Sequence, residues 1–144
     1  MIILDTNVIS ELMRSTPDRH VLAWFASQKP SNLAITAIAI AEIQRGILRL
    51  PVGKRRANLS ASFLEFVEEA FHGRILAFDA SAAYIYGEIA SEREKSGFNT
   101  DSVDLMISAI VKNHKASIAT RNTKDFKDCG IKLINPWEDR STHG

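Results

Sequence analysis

The sequence predicts an α/β fold: a three-layer α/β/α domain on a short, mostly parallel central sheet of about five strands. Three observations carry this. Short apolar runs alternate along the chain with amphipathic stretches of helical length, the pattern of strands joined by helical crossovers. Those runs are apolar at nearly every position, which suits strands covered on both faces. And 144 residues suit one core, with no repeat or linker to divide it. Residues 1–138 are therefore read as a single domain and residues 139–144 as a polar tail.

The elements follow in order. Ile2 to Leu4 is a buried first strand, ended by Asp5-Thr6-Asn7, polar residues suited to capping a short helix that runs to about Met13. Pro17 and Asp18 open a second helix with Val21, Leu22, Trp24 and Phe25 on one side, closed by the Lys29-Pro30-Ser31-Asn32 turn. Leu33 to Thr36 is the second strand. Ala37 to Leu50 is helical, with Ile38, Glu42 and Arg45 at three- and four-residue spacing and Ile40, Ile43 and Ile47 on an adjoining stripe. Pro51-Val52-Gly53 breaks it. Lys54-Arg55-Arg56 begins a longer helix carrying Leu59, Phe63, Phe66, Val67 and Phe71, which Gly73 stops; the three phenylalanines read as core. Ile75 to Phe78 is the third strand. Ala80 to Lys95 is helical, with Ala83, Tyr84, Gly87 and Ile89 as packing candidates, and Ser96-Gly97-Phe98-Asn99 forms a loop. Thr100 to Asp104 leads into Leu105 to Val111, a helix apolar nearly all round and hence central. Ser117 to Thr120 is the fourth strand, Thr123 to Lys127 a helical turn, and Ile131 to Ile134 the fifth strand.

Composition excludes several classes. Apolar residues at 45% and charged residues at 24% are globular values, not those of a disordered or fibrous chain. Lys and Arg total 18 against 17 Asp and Glu, a net charge of +1, so no overall basic footprint marks a nucleic-acid binder. One cysteine, Cys129, makes neither an internal disulfide nor a Cys-rich zinc site, and suits a reducing compartment. No run approaches the roughly 20 apolar residues of a membrane span, and the N-terminus lacks the basic leader of a signal peptide. A cytoplasmic protein with no membrane association is the expectation.

Three acids stand out. Asp5 ends the first strand, where sites form in open parallel sheets; its other reading is a helix cap. Glu42 lies in a strongly apolar helix, where a carboxylate is costly without a cation, donor or water; its other reading is a half-exposed residue paired with Arg45 or Arg49. Asp104 starts a nearly all-apolar helix, where it also suits the helix dipole or a capping arrangement with Asp101. Brought together, three carboxylates raise one another's pKa values or demand a divalent cation. Oxygen-only ligation favours Mg²⁺, with Mn²⁺ as substitute, over zinc. Phosphodiester hydrolysis is the chemistry such a site suits.

Four stretches, in this order, resemble a known family: Ile3-Leu-Asp5-Thr-Asn7-Val-Ile-Ser-Glu11, Ile38-Ala-Ile-Ala-Glu42-Ile-Gln-Arg-Gly46, Val103-Asp104-Leu-Met-Ile107-Ser-Ala109, and Ala119-Thr120-Arg-Asn122-Thr-Lys-Asp125-Phe126 followed by Asn135-Pro136-Trp137. Together they are similar to the PIN domains, and most of all to the VapC-type toxins of bacterial type II toxin–antitoxin operons. The resemblance covers essentially the whole chain. It implies a metal-dependent endoribonuclease whose site is built from Asp5, Glu42 and Asp104, with Asp5 and Asp104 as principal Mg²⁺ ligands and Glu42 contributing directly or through water. A fourth acid commonly follows Thr-Arg in that family, but this chain has Asn122. An Asn carbonyl still serves a metal or its water, Asp125 is a second source of the charge, and one well-held metal is the expectation. Thr6 and Thr120 are candidate supporting hydroxyls, with capping and turn formation as their other role.

An acidic site needs basic residues to receive a polyanion. The candidates are Arg14, Arg45, Arg49, Lys112, Lys115, Arg121 and Lys124, with Arg121, beside the proposed site, first for a phosphate contact. The Lys54-Arg55-Arg56 cluster is not assigned to RNA. The resemblance further implies an antitoxin whose C-terminal segment wraps the toxin, for which the helices from Thr6 to Met13 and from Arg56 to Phe71 offer aliphatic surface, a homodimer, and operator DNA bound only through the antitoxin. Two other readings compete. An aspartyl-phosphate phosphatase also ends its first strand on Asp, but its second acid, two residues on, is Asn7 here. A non-catalytic PIN-like scaffold would be consistent with Asn122.

Overall fold

The computed structural model describes residues 1–72, 74–98 and 101–138; Gly73, Asn99, Thr100 and the polar tail at 139–144 lie outside them. Five strands form one sheet, β1 (Ile2–Leu4), β2 (Leu33–Thr36), β3 (Ile75–Leu76), β4 (Ser117–Ala119) and β5 (Lys132–Ile134). Their order is β3-β2-β1-β4-β5 and every pairing is parallel. The mostly parallel sheet expected from sequence is thus wholly parallel.

Period-two geometry then sorts the side chains into two cores. Ile3, Ala34 and Ile118 face a layer made by α5 (Ala80–Lys95) and α6 (Ser102–Asn113). Leu4, Leu33 and Ile35 face the opposite layer, with α1 (Thr6–Leu12), α2 (Arg19–Ser27), α3 (Ala37–Leu48) and α4 (Lys54–Phe71). α7 (Thr123–Phe126) completes the helices, and Phe126 seals the first core. Phe63 and Phe71 are buried in the second, with Phe66 packed against it, as core residues.

Local chemistry fixes the ends. Asp18, Asp79 and Asp101 accept backbone N–H bonds at the starts of α2, α5 and α6, and Thr36 Oγ1 takes the Ala39 N–H of α3 at 3.0 Å, each filling orphan donors of a first turn. Several boundaries move inward from the sequence reading. β3 stops at Leu76 instead of Phe78, α3 at Leu48 instead of Leu50, α7 at Phe126 instead of Lys127, and Thr120 falls just past β4. β5 starts at Lys132, one residue beyond Ile131.

Two expected helix faces differ: Leu22 of α2 is 43% exposed, apart from the buried Val21 and Trp24, and α5 turns another side inward. On α5, Ala82 and Ile89 are buried and Ile85, Tyr86 and Ala90 pack beside them, whereas Ala83 and Gly87 face outward and Tyr84 is 80% exposed. Small and apolar residues surround this helix, so its period does not choose a face, and contact with α6 decides it.

The chain builds β1, β2 and β3 outward in one direction and then returns to place β4 on the other side of β1. The strand order reverses there, and the crevice beyond the carboxyl ends of β1 and β4 is where open α/β sheets hold their ligands.

Candidate active site

Asp5 follows β1 directly. Its backbone N–H donates to the Ala119 carbonyl at 2.9 Å, prolonging the β1–β4 ladder to the rim, and its side chain, in a residue only 3% exposed, turns into the crevice. Oδ1 accepts the Thr6 backbone N–H at 2.8 Å, so Asp5 does cap α1. Oδ2 bonds to neighbours in the site: it accepts the Thr120 hydroxyl at 2.8 Å and Asn7 Nδ2 at 3.1 Å. Capping and site roles coexist because a carboxylate has two oxygens.

Thr120 is a junction. Wholly buried, its Oγ1 also accepts the Asn122 backbone N–H at 3.0 Å and lies 3.4 Å from Asn7 Nδ2. The Arg121 N–H donates to Asn7 Oδ1 at 3.2 Å. The turn after β4 is therefore bolted to the start of α1.

Glu42 enters from α3. It pairs with neither Arg45 nor Arg49; the Thr6 hydroxyl donates to its Oε1 at 2.7 Å. Asp104 enters from the first turn of α6, while Asp101 is the cap, its Oδ1 accepting the Val103 N–H at 2.8 Å. Among the described residues no hydrogen bond or ion pair reaches the half-buried Asp104 carboxylate. Asp5, Glu42 and Asp104 line one cleft of about 490 Å³, with Thr6, Asn7, Ser10, Glu11, Arg14, Arg121, Asn122 and Trp137.

The electrostatics follow from that convergence. Burial raises the Asp5 pKa, the hydrogen bonds from Thr120, Thr6 and Asn7 pull against it, and the nearby Glu42 charge adds to the rise. Burial, then the charges of Asp5, Asp101, Asp125 and Glu42, push Asp104 up to about 7. An acid with no donor, beside two others, is a place that favours a cation.

Of the seven candidate cations, Arg14 and Arg121 line this cleft. Arg121 stacks on Trp137, its guanidinium carbon 5.0 Å from the ring centroid. Lys112 lines a different groove, between α5 and the α7–β5 turn. Asp125 is exposed and lies outside the cleft lining, so it touches the site only through its field on Asp104. Asn122, exposed, occupies the wall position itself. The Lys54-Arg55-Arg56 cluster is not wholly remote: Arg55 lines a second groove, between α1, α3 and α4, that shares Thr6, Ser10, Arg14 and Glu42 with the acidic cleft.

Ser10, Glu11 and Trp137 were not singled out as site residues by sequence. Ser10 follows Thr6 at helical i+4 spacing, the signal that would have found it; Trp137 carries no such pattern.

For a metal, the donors are oxygens alone, and among the described residues no three His, Cys, Asp or Glu side chains are grouped closely enough to form a cage. Mg²⁺ does not need one, since it commonly keeps several waters and takes only one or two carboxylates from the protein. The partnerless Asp104, and Asp5 through the Oδ1 that accepts a single bond, fit that requirement.

The PIN domain family model matches residues 2–132. The VapC ribonuclease Y4jK of Sinorhizobium fredii is 41% identical over 96% of this chain and 99% of its own length. Toxin FitB of Neisseria gonorrhoeae is 37% identical over 96% of this chain and all of its own length, and the crystal structure of FitAcB from that organism matches 96% of this chain, and 100% of the matched chain, with a TM-score of 0.90. VapBC2 of Rickettsia felis, bound to a DNA fragment from its promoter, matches 94% of this chain and 98% of the matched chain at 27% identity, with a TM-score of 0.78. With this fold and this likeness along its length, the chain belongs to the PIN domain family, in its VapC-type branch.

Proposed function

We propose that this protein is the toxin of a toxin–antitoxin pair and hydrolyses RNA phosphodiester bonds with Mg²⁺, or Mn²⁺ in its place, at Asp5, Glu42 and Asp104. One observation carries the reading: three acids from three separate elements meet in one cleft at the strand-order reversal, two with raised pKa values. The names of the relatives, a VapC ribonuclease and a toxin, supply the reaction class.

Asp5 and Asp104 would hold the cation, and Glu42 would assist directly or through water. Bound there, Mg²⁺ supplies an acidified attacking water and positive charge for the phosphoryl oxygens. The chain's own groups do the rest. Thr120 and Asn7 lock Asp5 in one rotamer and Thr6 locks Glu42, so the acids need not reorganise as charge develops. Arg121, flattened on Trp137, offers its guanidinium edge to a phosphate.

The partners follow the relatives. An antitoxin segment would cover the site, operator DNA would be met only through that antitoxin, the toxin would pair as a homodimer, and its place would be the cytoplasm.

Purified protein freed of its partner should cleave RNA with Mg²⁺ or Mn²⁺ and lose at least about a hundredfold in rate on Asp5→Ala or Asp104→Ala. Cleavage that survives both changes and a chelator would sink the assignment. Asn122, standing where an acid is usual, motivates the competing scaffold reading, which calorimetry separates: absence of Mg²⁺ and Mn²⁺ binding by the wild type supports the scaffold.

A further inference from the structure

Arg14 stands apart from the other basic residues because a buried acid presents it to the cleft. α1 ends at Leu12, and Arg14 follows on the stripe of Thr6 and Ser10. Its Nη1 donates to Glu11 Oε2 at 3.0 Å and Oε1 at 3.3 Å. Glu11 is only 8% exposed, and its Oε2 also accepts the Asp18 backbone N–H at 2.9 Å. The acid is thus anchored to both ends of the α1–α2 connection and is a fixed mount. The Arg14 side chain it holds is 62% exposed, and its Nη2 and Nε have no partner among the described residues.

The ion pair, its arginine 62% exposed, stabilises a helix end only slightly; what folding takes from the buried Glu11 is its bond from the Asp18 N–H. A guanidinium fixed on one edge and open on the other is a preorganised phosphate receptor. Its place adds direction. Asp5 and Arg121 lie at the start of α1 and Arg14 two residues past its end, so the seven residues of α1, about 10 Å of axis by helix rise, separate them. The same cleft therefore carries a cation at each end, with the acids toward one of them.

We propose that Arg14 contacts a phosphate of the RNA strand next to the scissile one, and that Glu11 is a positioning residue acting through Arg14. The inference rests on the ribonuclease reading above. It gives the strand a path along α1, from Arg121 past the acids to Arg14, so that binding energy taken away from the reacting phosphate fixes the register of cleavage.

The test uses the full chain, a long single-stranded RNA for cleavage with Mn²⁺, and a fluorescein-labelled single-stranded RNA oligonucleotide for anisotropy in chelator. Arg14→Ala should raise KM about tenfold with kcat within about twofold, lower the log–log salt slope of binding by about 1 between about 50 and 200 mM salt, and leave the melting temperature unchanged. Arg14→Lys should recover the slope but only part of the affinity. Glu11→Gln should raise KM severalfold while kcat and the slope stay near wild type, because the charge remains and its aim is lost.

Arg14→Ala with wild-type KM and slope, in a preparation whose wild type cleaves, overturns the inference and leaves the ribonuclease reading intact. Arg14→Ala that melts early and loses kcat with KM unchanged overturns it too, making the pair structural. A wild type that does not cleave with metal overturns the ribonuclease reading, and the anisotropy slope then still decides whether Arg14 meets RNA.

Discussion

At the scale of single residues, the site depends on hydroxyls as much as on acids. Thr120 is wholly buried, donates to Asp5 Oδ2 and accepts from the Asn122 N–H, so Thr120→Val takes from a buried carboxylate oxygen one of its two donors, leaving Asn7 Nδ2, and deprives a backbone donor of its acceptor. The expected cost is about 1–3 kcal/mol of stability, read from denaturant unfolding. It also removes the largest of the influences that hold the Asp5 pKa down, so RNA cleavage should fall and its acidic pH limb should move upward; Thr120→Ser should restore most of both. The acids were legible in sequence because each begins, ends or interrupts an apolar element, where a charge is conspicuous. Thr6 and Thr120 were named as supporting hydroxyls only through the family resemblance, and which acid each serves was not legible. Thr120 and Asp5 are 115 positions apart and Thr6 and Glu42 are 36 apart, and no local pattern announces a hydrogen bond that exists only once β1, β4 and α3 are side by side. Glu11 was visible as a motif residue, but its burial and its hold on Arg14 come from the α1–α2 turn.

At the scale of elements, the strands and helices were legible because short apolar runs and stretches of period 3.6 were each interrupted by strong stop signals such as Lys29-Pro30 and Pro51-Val52-Gly53. Where the pattern was ambiguous, packing decided. The outward face of α5 is the example: Ala83 and Gly87 are as compatible with a core as Ala82 and Ala90, and Tyr84 reads as apolar bulk until α6 takes the other side. Helix ends show the same division. α5 closes in a Schellman arrangement, Phe98 N–H to the Arg93 carbonyl and Gly97 N–H to that of Glu94, with Gly97 at φ 80° as that turn requires. α6 closes identically, Ala116 N–H to Val111 and Lys115 N–H to Lys112, but the left-handed position holds Lys115 at φ 52°. Its Cβ is strained there. Lys115→Gly should stabilise the protein by up to about 1 kcal/mol, after the added freedom of glycine in the unfolded chain is counted, with no change in metal binding because the turn lies at the far end of α6 from Asp104. Thermal unfolding beside calorimetric metal titration checks both halves.

At the scale of the whole molecule, the net charge of +1 includes three acids, Asp5, Glu42 and Asp104, gathered in one cleft; setting them aside, the rest of the chain carries +4. That arrangement is stable only at a cost that pH exposes. Asp104 has its ordinary value of 3.8 in the unfolded chain and is pushed up to about 7 in the folded one; the folded state therefore binds its proton more tightly. The advantage is complete below about pH 4 and is lost as pH rises toward 7, because ionising Asp104 in the fold means burying a charge and placing it near Asp5 and other acids. The Asp5 shift has the same sign. Metal-free protein should thus lose stability from this cluster between about pH 4 and pH 7, against the usual gain from surface carboxylates. Asp104→Asn, which keeps the shape and removes the charge, should raise the metal-free unfolding midpoint at about pH 8 and leave it nearly unchanged at about pH 4. Mg²⁺ or Mn²⁺ should raise the wild-type midpoint at pH 8 with a dependence on concentration, and raise that of Asp104→Asn far less. Melting curves of both proteins across pH, with and without cation, read every arm: a wild type indifferent to cation, or an Asn variant with the wild-type pH profile, would show that Asp104 is not the group that couples folding to the charge of this cleft.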